Sequence, residues 1–233
     1  MLNLIKQYAN DFIHLIYPHI CIGCGTDVLE NTEVLCNQCF SQLPATDYFL
    51  FANNPVEQLF AGRILVQQAG STYYFTKKSL LQNIMFEIKY RGNKEAGLLM
   101  GKQTGKALQQ SMRFENIDVI VPMPLSRRRL QQRGYNQATL IAQGIASVIQ
   151  KPVEEHVAVR KMNTTTQTEK DRISRWQNMQ YAFTINNVEA LAGKHVLLVD
   201  DIITTGATLE ACGQTILSIP DTKLSIATVA HTI

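Results

Sequence analysis

The chain has 233 residues, 45% of them hydrophobic and 18% charged, the composition of a globular protein with room for one α/β domain of ordinary size and a small appendage. Its 22 basic and 19 acidic residues leave a formal charge of +3, too weak to mark a nucleic-acid binder, so only a local cluster of positive residues can carry that meaning. No stretch of 18 apolar residues occurs, and no membrane span is expected. At the N-terminus Leu4, Ile5, Tyr8, Phe12, Leu15 and Ile16 recur at helical spacing, with Asp11 and His14 inside the stretch and no small-residue cleavage site. An amphipathic helix is expected there rather than a signal peptide, and with it a cytoplasmic location.

Two C-x2-C pairs follow, Cys21/Cys24 and Cys36/Cys39, eleven residues apart. Four thiolates at this spacing suit a tetrahedral Zn²⁺ site, and Gly23 and Gly25 permit the tight turn at the first pair. Four protein ligands leave no open position, so the metal is expected to hold a module of residues 1–45 together rather than to catalyse. Disulfides and an iron–sulfur centre are the rival readings; the expected compartment speaks against the first, and nothing else in the chain suggests electron transfer. A fifth cysteine, Cys212, falls in a helical stretch and is expected to be a small buried residue.

Residues 46–233 are expected to form the main domain. Leu43–Pro55, punctuated by Pro44, Asn53, Asn54 and Pro55, reads as a linker. Arg63–Val66 and Tyr73–Phe75, with Gly70 between them, suggest a hairpin. Helical spacing is predicted over Lys77–Tyr90 and Lys94–Gln110. The GKQTGK stretch at Gly101–Lys106 lacks the gap and terminal Ser/Thr of a phosphate-binding P-loop, and no strand clearly precedes it. From Ile117 strands and helices alternate. Ile117–Val121, His156–Val159 and Leu224–Ala230 read as strands and Asn136–Ile149 as a helix. Asn163–Gln180 reads as a long loop. Repeated strand–helix–strand units predict an α/β, three-layer parallel sheet.

The stretch His195–Thr208, HVLLVDDIITTGAT, is the centre of the pattern. Its unbroken apolar run suits a central parallel strand. Asp200 and Asp201 then lie at the C-terminal end, where open α/β sheets bind ligands. Thr204, Thr205, Gly206, Ala207 and Thr208 can curl around a phosphate at the N-terminus of the next helix. An Asp turn with an ordinary Thr cap is the plainer alternative.

Two basic clusters follow other strand ends. Arg127, Arg128, Arg129 and Arg133 fall within seven residues of one another. They suit a multiply charged anion, a phosphate-backbone contact or simply a solvated loop. Arg160, Lys161, Lys170, Arg172 and Arg175 are spread through a polar segment able to close over a bound phosphate ester, or to be an exposed excursion.

Val196–Thr208 resembles the phosphoribosyl-pyrophosphate (PRPP) signature of type I phosphoribosyltransferases. With the four cysteines, Ile88–Gly92 (IKYRG), Val121–Ala138 (VPMPLSRRRLQQRGYNQA) and the Arg160–Asn178 segment ending in RWQN, nearly the whole chain resembles the ComF family. These are competence-associated, phosphoribosyltransferase-like proteins of DNA uptake and transformation. The resemblance implies a type I phosphoribosyltransferase-like domain behind a small zinc module, with PRPP or a related ribose 5-phosphate ester bound together with Mg²⁺. Asp200 and Asp201 would hold the ribose hydroxyls, and Thr204–Thr208 the 5′-phosphate. The Pro122–Arg129 turn would face pyrophosphate, and Arg160–Arg175 would form the covering loop. Arginine forks and Mg²⁺ would neutralise pyrophosphate as a nitrogen nucleophile attacks C1 of the ribose.

No acceptor site is legible, and no glutaminase-type domain or N-terminal cysteine nucleophile is present. Three functions therefore stand at this point: a phosphoribosyl transferase or PRPP sensor, a single-stranded-DNA-binding or adaptor protein, and a structural partner of competence-machinery proteins. Apart from Tyr135 and Trp176 the arginine-rich segments carry no interleaved aromatics, so the sequence offers no obvious stacking platform.

Overall fold

The computed structural model describes residues 20–27, 33–161 and 182–233. The expected N-terminal helix, the 163–180 loop and Lys170, Arg172 and Arg175 lie outside the described residues. In chain order the described elements are α1 (Asn37–Ser41), α2 (Pro55–Gln58), β1 (Ala69–Phe75), α3 (Leu80–Tyr90), α4 (Lys94–Gln109), β2 (Val119–Pro122), α5 (Arg127–Arg133), α6 (Gln137–Ile149), β3 (Ala158–Arg160), β4 (Phe183–Ile185), β5 (His195–Ile203), α7 (Ala207–Leu217) and β6 (Lys223–Thr232).

Strands β1, β6, β5 and β2 lie side by side in that order, every neighbouring pair parallel. β3 and β4 form a separate antiparallel pair. Val196, Leu197, Leu198 and Val199 are completely buried because β5 is covered on both faces, which is why its apolar run does not alternate. One face carries Leu197, Val199, Ala227 and Val229 against α3, α4 and α6 through Leu81, Ile84, Met100, Ile141 and Ile145. The other carries Val196, Leu198 and Ile226 against Leu209, Cys212 and Ile216 of α7, together with Val56, Phe60 and Phe183. Helix, sheet and helix make the three expected layers, and Cys212 is buried among them. The four-cysteine segment packs through Cys21, Leu35 and Cys39 into the first of these cores.

Three local expectations are corrected. Arg63–Val66 is not a strand, and there is no hairpin: β1 starts at Ala69, runs through Gly70 and pairs with β6 in parallel. Gly70 lies inside the strand because the Phe49 ring presses on it, 2.6 Å from where a Cβ would stand. Part of the expected linker extends the sheet edge instead. Ala45 bridges Tyr73 in antiparallel sense, Thr46 N–H donates to Thr72 O and Tyr74 N–H to Pro44 O. Finally, Arg127–Arg133 is a helix rather than a turn. Ser126 caps it, Gly134 ends it at φ 76°, and with no buried residue it carries no apolar period to read.

The GKQTGK stretch also finds its explanation. Gly101 and Gly105 lie on α4 where it crosses α6, and Gly144 faces them from α6. A Cβ at Gly101 would stand 2.2 Å from Ile141 O, so these glycines allow two helix backbones to touch.

Candidate functional site

Beyond the C-terminal ends of β2 and β5 lies a cavity of about 280 Å³. One wall is the end of β5 and the loop after it: Asp200, Asp201, Thr204, Gly206 and Thr208. Lys89, Arg129, Arg133 and Arg160, from α3, α5 and β3, line the same cavity. Four cationic side chains against two carboxylates leave a positive interior suited to a polyanion with a polar, uncharged middle.

The two aspartates differ in setting. Asp200 Oδ1 accepts the Asp201 N–H at 2.8 Å, and Asp201 Oδ1 accepts the Ile202 N–H at 2.6 Å. Lys89 Nζ stands 2.9 Å from the buried Asp201 Oδ2, an ion pair without a hydrogen bond directed along it, so this oxygen keeps acceptor capacity for a ligand hydroxyl. Burial and the neighbouring Asp201 charge push Asp200 up to about 7, against the opposing pull of the Asp201 N–H, Lys89 and Arg129.

A raised carboxyl favours the protonated form in the folded state. Its contribution to stability is therefore present in full only below about pH 4, the ordinary carboxyl range, and is lost as pH rises from there through about 7. Asp200→Asn removes that loss while keeping the acceptor for Asp201 N–H. Its melting temperature should match wild type near pH 4 and exceed it by several degrees at pH 8, for a gain of about 2–4 kcal/mol. Equal differences at the two pH values in a differential scanning experiment would contradict this assignment.

The loop after β5 is shaped for an anion. Gly206 occupies the left-handed region at φ 74°, with the Phe60 ring 3.0 Å from any added Cβ. Helix α7 begins beyond it with no side-chain cap, and its first turn lines the cavity through Thr208 and Leu209. Thr204, Gly206 and Thr208 line the cavity, whereas Thr205 and Ala207 do not. Thr205 instead offers its carbonyl to Arg63 Nη1 at 3.0 Å, and Arg63 also pairs with Glu210, clamping the loop to the first turn of α7.

Of the four clustered arginines, Arg129 and Arg133 line the cavity, one helical turn apart on α5, and Arg133 is held by Gln137 Oε1 at 2.7 Å. Arg127 and Arg128 are exposed and lie outside it. Arg160 belongs to β3, stacks 5.6 Å over the Phe183 ring and reaches the cavity; burial and nearby Arg129 depress its pKa. Lys161 is exposed beside it.

The four expected cysteine ligands do converge: the Sγ atoms of Cys21, Cys24, Cys36 and Cys39 all lie within 4.8 Å of one another, an arrangement able to hold a metal ion. None is in a disulfide. Cys21 Sγ accepts N–H bonds from Gly23 at 3.4 Å and Cys36 at 3.3 Å. Burial alone would raise Cys21, but those bonds outweigh it and bring the thiol down to about 6, while burial and the other three sulfurs push Cys39 up to about 12.

Residues 136–231 match the phosphoribosyl transferase domain family, a span holding β5, the threonine loop and β6. The DNA utilization protein YhgH of Escherichia coli K12 is 32% identical over 201 residues, covering 85% of this chain and 84% of that protein. Competence protein F of Haemophilus influenzae is 27% identical over 83% of this chain and 76% of its own length. Competence protein ComFC of Bacillus subtilis is 26% identical over 87% and 73% respectively. The chain belongs to the ComF family.

In this ComF chain the residues that sequence reasoning missed are those that reach the site from distant segments. Lys89 sits in the IKYRG segment, where nothing in the local pattern assigns it a role. Its ion pair to Asp201 crosses from α3 to β5. Arg63 clamps the threonine loop from outside every motif, and Gln137, near the end of the Val121–Ala138 segment, holds Arg133. Gln137 carried one readable signal, a polar residue in the first helical turn after the arginine cluster.

Proposed function

We propose that this ComF chain binds PRPP together with Mg²⁺ in the cavity beyond β5 and acts in DNA uptake. The observation that carries the reading is a single cavity that gathers the carboxyl groups of Asp200 and Asp201, an uncapped helix N-terminus, and the cations Lys89, Arg129, Arg133 and Arg160. Asp200 and Asp201 would accept the ribose hydroxyls, and the N–H groups and hydroxyls of Thr204–Thr208 would take the 5′-phosphate. Arg129, Arg133, Arg160 and Lys89 would receive the diphosphate, whose departure from C1 is the step that transfer to a nitrogen nucleophile requires. Mg²⁺ would enter on the diphosphate and neutralise its charge. The DNA-uptake role rests on the relatives named for competence and DNA utilization.

Zinc is the metal proposed for the cysteine cluster. Zn–S bonds of about 2.3 Å put tetrahedral sulfurs about 3.8 Å apart. Cys24 and Cys36 Sγ stand at 3.7 Å.

Calorimetric titration with PRPP and Mg²⁺ tests the first proposal. A single saturable site is expected in wild type, with affinity falling at least 100-fold in the Asp200→Asn, Asp201→Asn double variant. A heat signature that survives the double substitution, or none in wild type, would reject PRPP as the ligand. Arg127 and Arg128, free of the cavity, favour a second role in contacting single-stranded DNA phosphates. That role predicts an affinity falling steeply with salt and reduced in Arg127→Ala, Arg128→Ala while PRPP binding persists.

A further inference from the structure

A second cavity, about 480 Å³, opens beside the first and shares Lys89, Arg129 and Arg133 with it. Tyr90, Gly92 and Gln132 complete its lining, and among the described residues no carboxylate lines it. Tyr90 is 66% exposed, and Phe86, one turn earlier on α3, is 48% exposed. The buried face of that helix is Leu81, Ile84, Met85 and Ile88, so neither ring serves the core.

The two rings lie 5.1 Å apart between centroids, tilted by 42°. The Arg133 guanidinium stands 5.4 Å over Tyr90, and that of Arg91 6.0 Å over Phe86. Guanidinium, ring, ring, guanidinium thus form a continuous π-bearing edge. Such an edge is costly to leave in water, and one of its arginines also lines the diphosphate wall.

Aromatic rings interleaved with arginine are the chemistry that takes up a flat heterocycle, because every base offers a π-face and guanidinium planes stack on it. The size of the second cavity falls in the range of small-molecule sites. Its freedom from carboxylates and its cationic lining select an anionic ligand. An uncharged apolar partner would gain nothing from Lys89, Arg129 and Arg133. Here, within the fold, is an aromatic cluster of the kind the linear sequence did not announce.

We propose that Tyr90 and Phe86 form a stacking subsite for the heterocycle of a phosphorylated nucleoside whose phosphate is held by Arg129 and Arg133. The ligand is a free nucleotide or a nucleotide unit of a single strand; both present the same ring and the same phosphate. This subsite rests on the phosphate reading of the first cavity and adds to it the recognition of a base.

The test is fluorescence titration of the full-length protein with 2-aminopurine riboside 5′-monophosphate and with a short single strand carrying one 2-aminopurine. Inorganic pyrophosphate, followed by calorimetry, is the ring-free reference. Quenching on binding is expected, with the dissociation constant raised about tenfold or more in Tyr90→Ser. A smaller rise is expected in Phe86→Ser and none in Tyr90→Phe, while pyrophosphate affinity changes by less than about twofold. Saturation by the mononucleotide identifies a free nucleotide, and quenching of the strand alone identifies a strand unit. Equal quenching and affinity in wild type and Tyr90→Ser overturns the subsite. If pyrophosphate fails to bind while Tyr90-dependent quenching remains, the diphosphate reading falls and the stacking subsite stands.

Discussion

Replacing Gly101 with alanine is expected to destabilise the protein by about 2–3 kcal/mol, although the same change in an isolated helix would stabilise it by about 1 kcal/mol. The sign is decided by what the new methyl would meet. At 2.2 Å from Ile141 O and 2.9 Å from Gly144 Cα, both atoms of the α6 backbone, there is no side chain to swing aside. The two helices must separate along the whole contact. Valine adds further branches at the same point and should prevent folding at ordinary temperatures. For a chain of this length, about 2–4 °C per kcal/mol translates the alanine effect into a fall of about 4–12 °C in melting temperature, measured by circular dichroism. Gly62→Ala is the contrasting variant. Gly62 sits at φ 70° with nothing within 4 Å of an added Cβ, so only local backbone strain of about 1–2 kcal/mol applies. A Gly101→Ala protein that melts at or above the wild-type temperature would show that the helices do not approach this closely.

The same glycines mark the boundary of what linear pattern conveys. Asp200, Asp201 and the threonine loop were legible because strand end, turn and helix start are contiguous, so a short motif holds all their geometry. The cysteines were legible for a related reason, since metal-ligand spacing is local in each pair. Lys89 was not: its role depends on α3 delivering an ammonium to the end of β5, and no periodicity within α3 distinguishes Lys89 from a solvated lysine. Phe86 and Tyr90 are harder still. An aromatic pair four residues apart on an amphipathic helix normally belongs to the core, and only the burial of Leu81, Ile84, Met85 and Ile88 reveals that these two point outward. The arginines fall between these cases. Their clustering was plain, but which two face the cavity follows from α5 being a helix, where Arg129 and Arg133 share a side.

Removal of the metal is expected to melt the cysteine module without unfolding the sheet. Four thiolates within 4.8 Å repel one another strongly unless a cation lies among them, and zinc-peptide binding energies of about 10–16 kcal/mol exceed what so small a segment gains from its own apolar contacts. The module is not an independent bead, however. Gly23 sits so close to α3 that a Cβ there would lie 2.7 Å from Leu80 Cδ1, and Leu35, Cys21 and Cys39 extend the core that covers one face of the sheet. Chelation, or Cys39→Ser, should therefore make residues 20–45 protease-sensitive and uncover part of α3. The melting temperature should fall by several degrees rather than the transition disappearing, because the remainder of that core is filled by α4 and α6. Wild type is expected to carry one zinc per chain by metal analysis, Cys39→Ser to lose it, and Cys212→Ala to keep it, since Cys212 lies in the opposite core. A metal-free wild type, cleaved no faster after chelation than before, would mean that the four sulfurs are held together by packing alone.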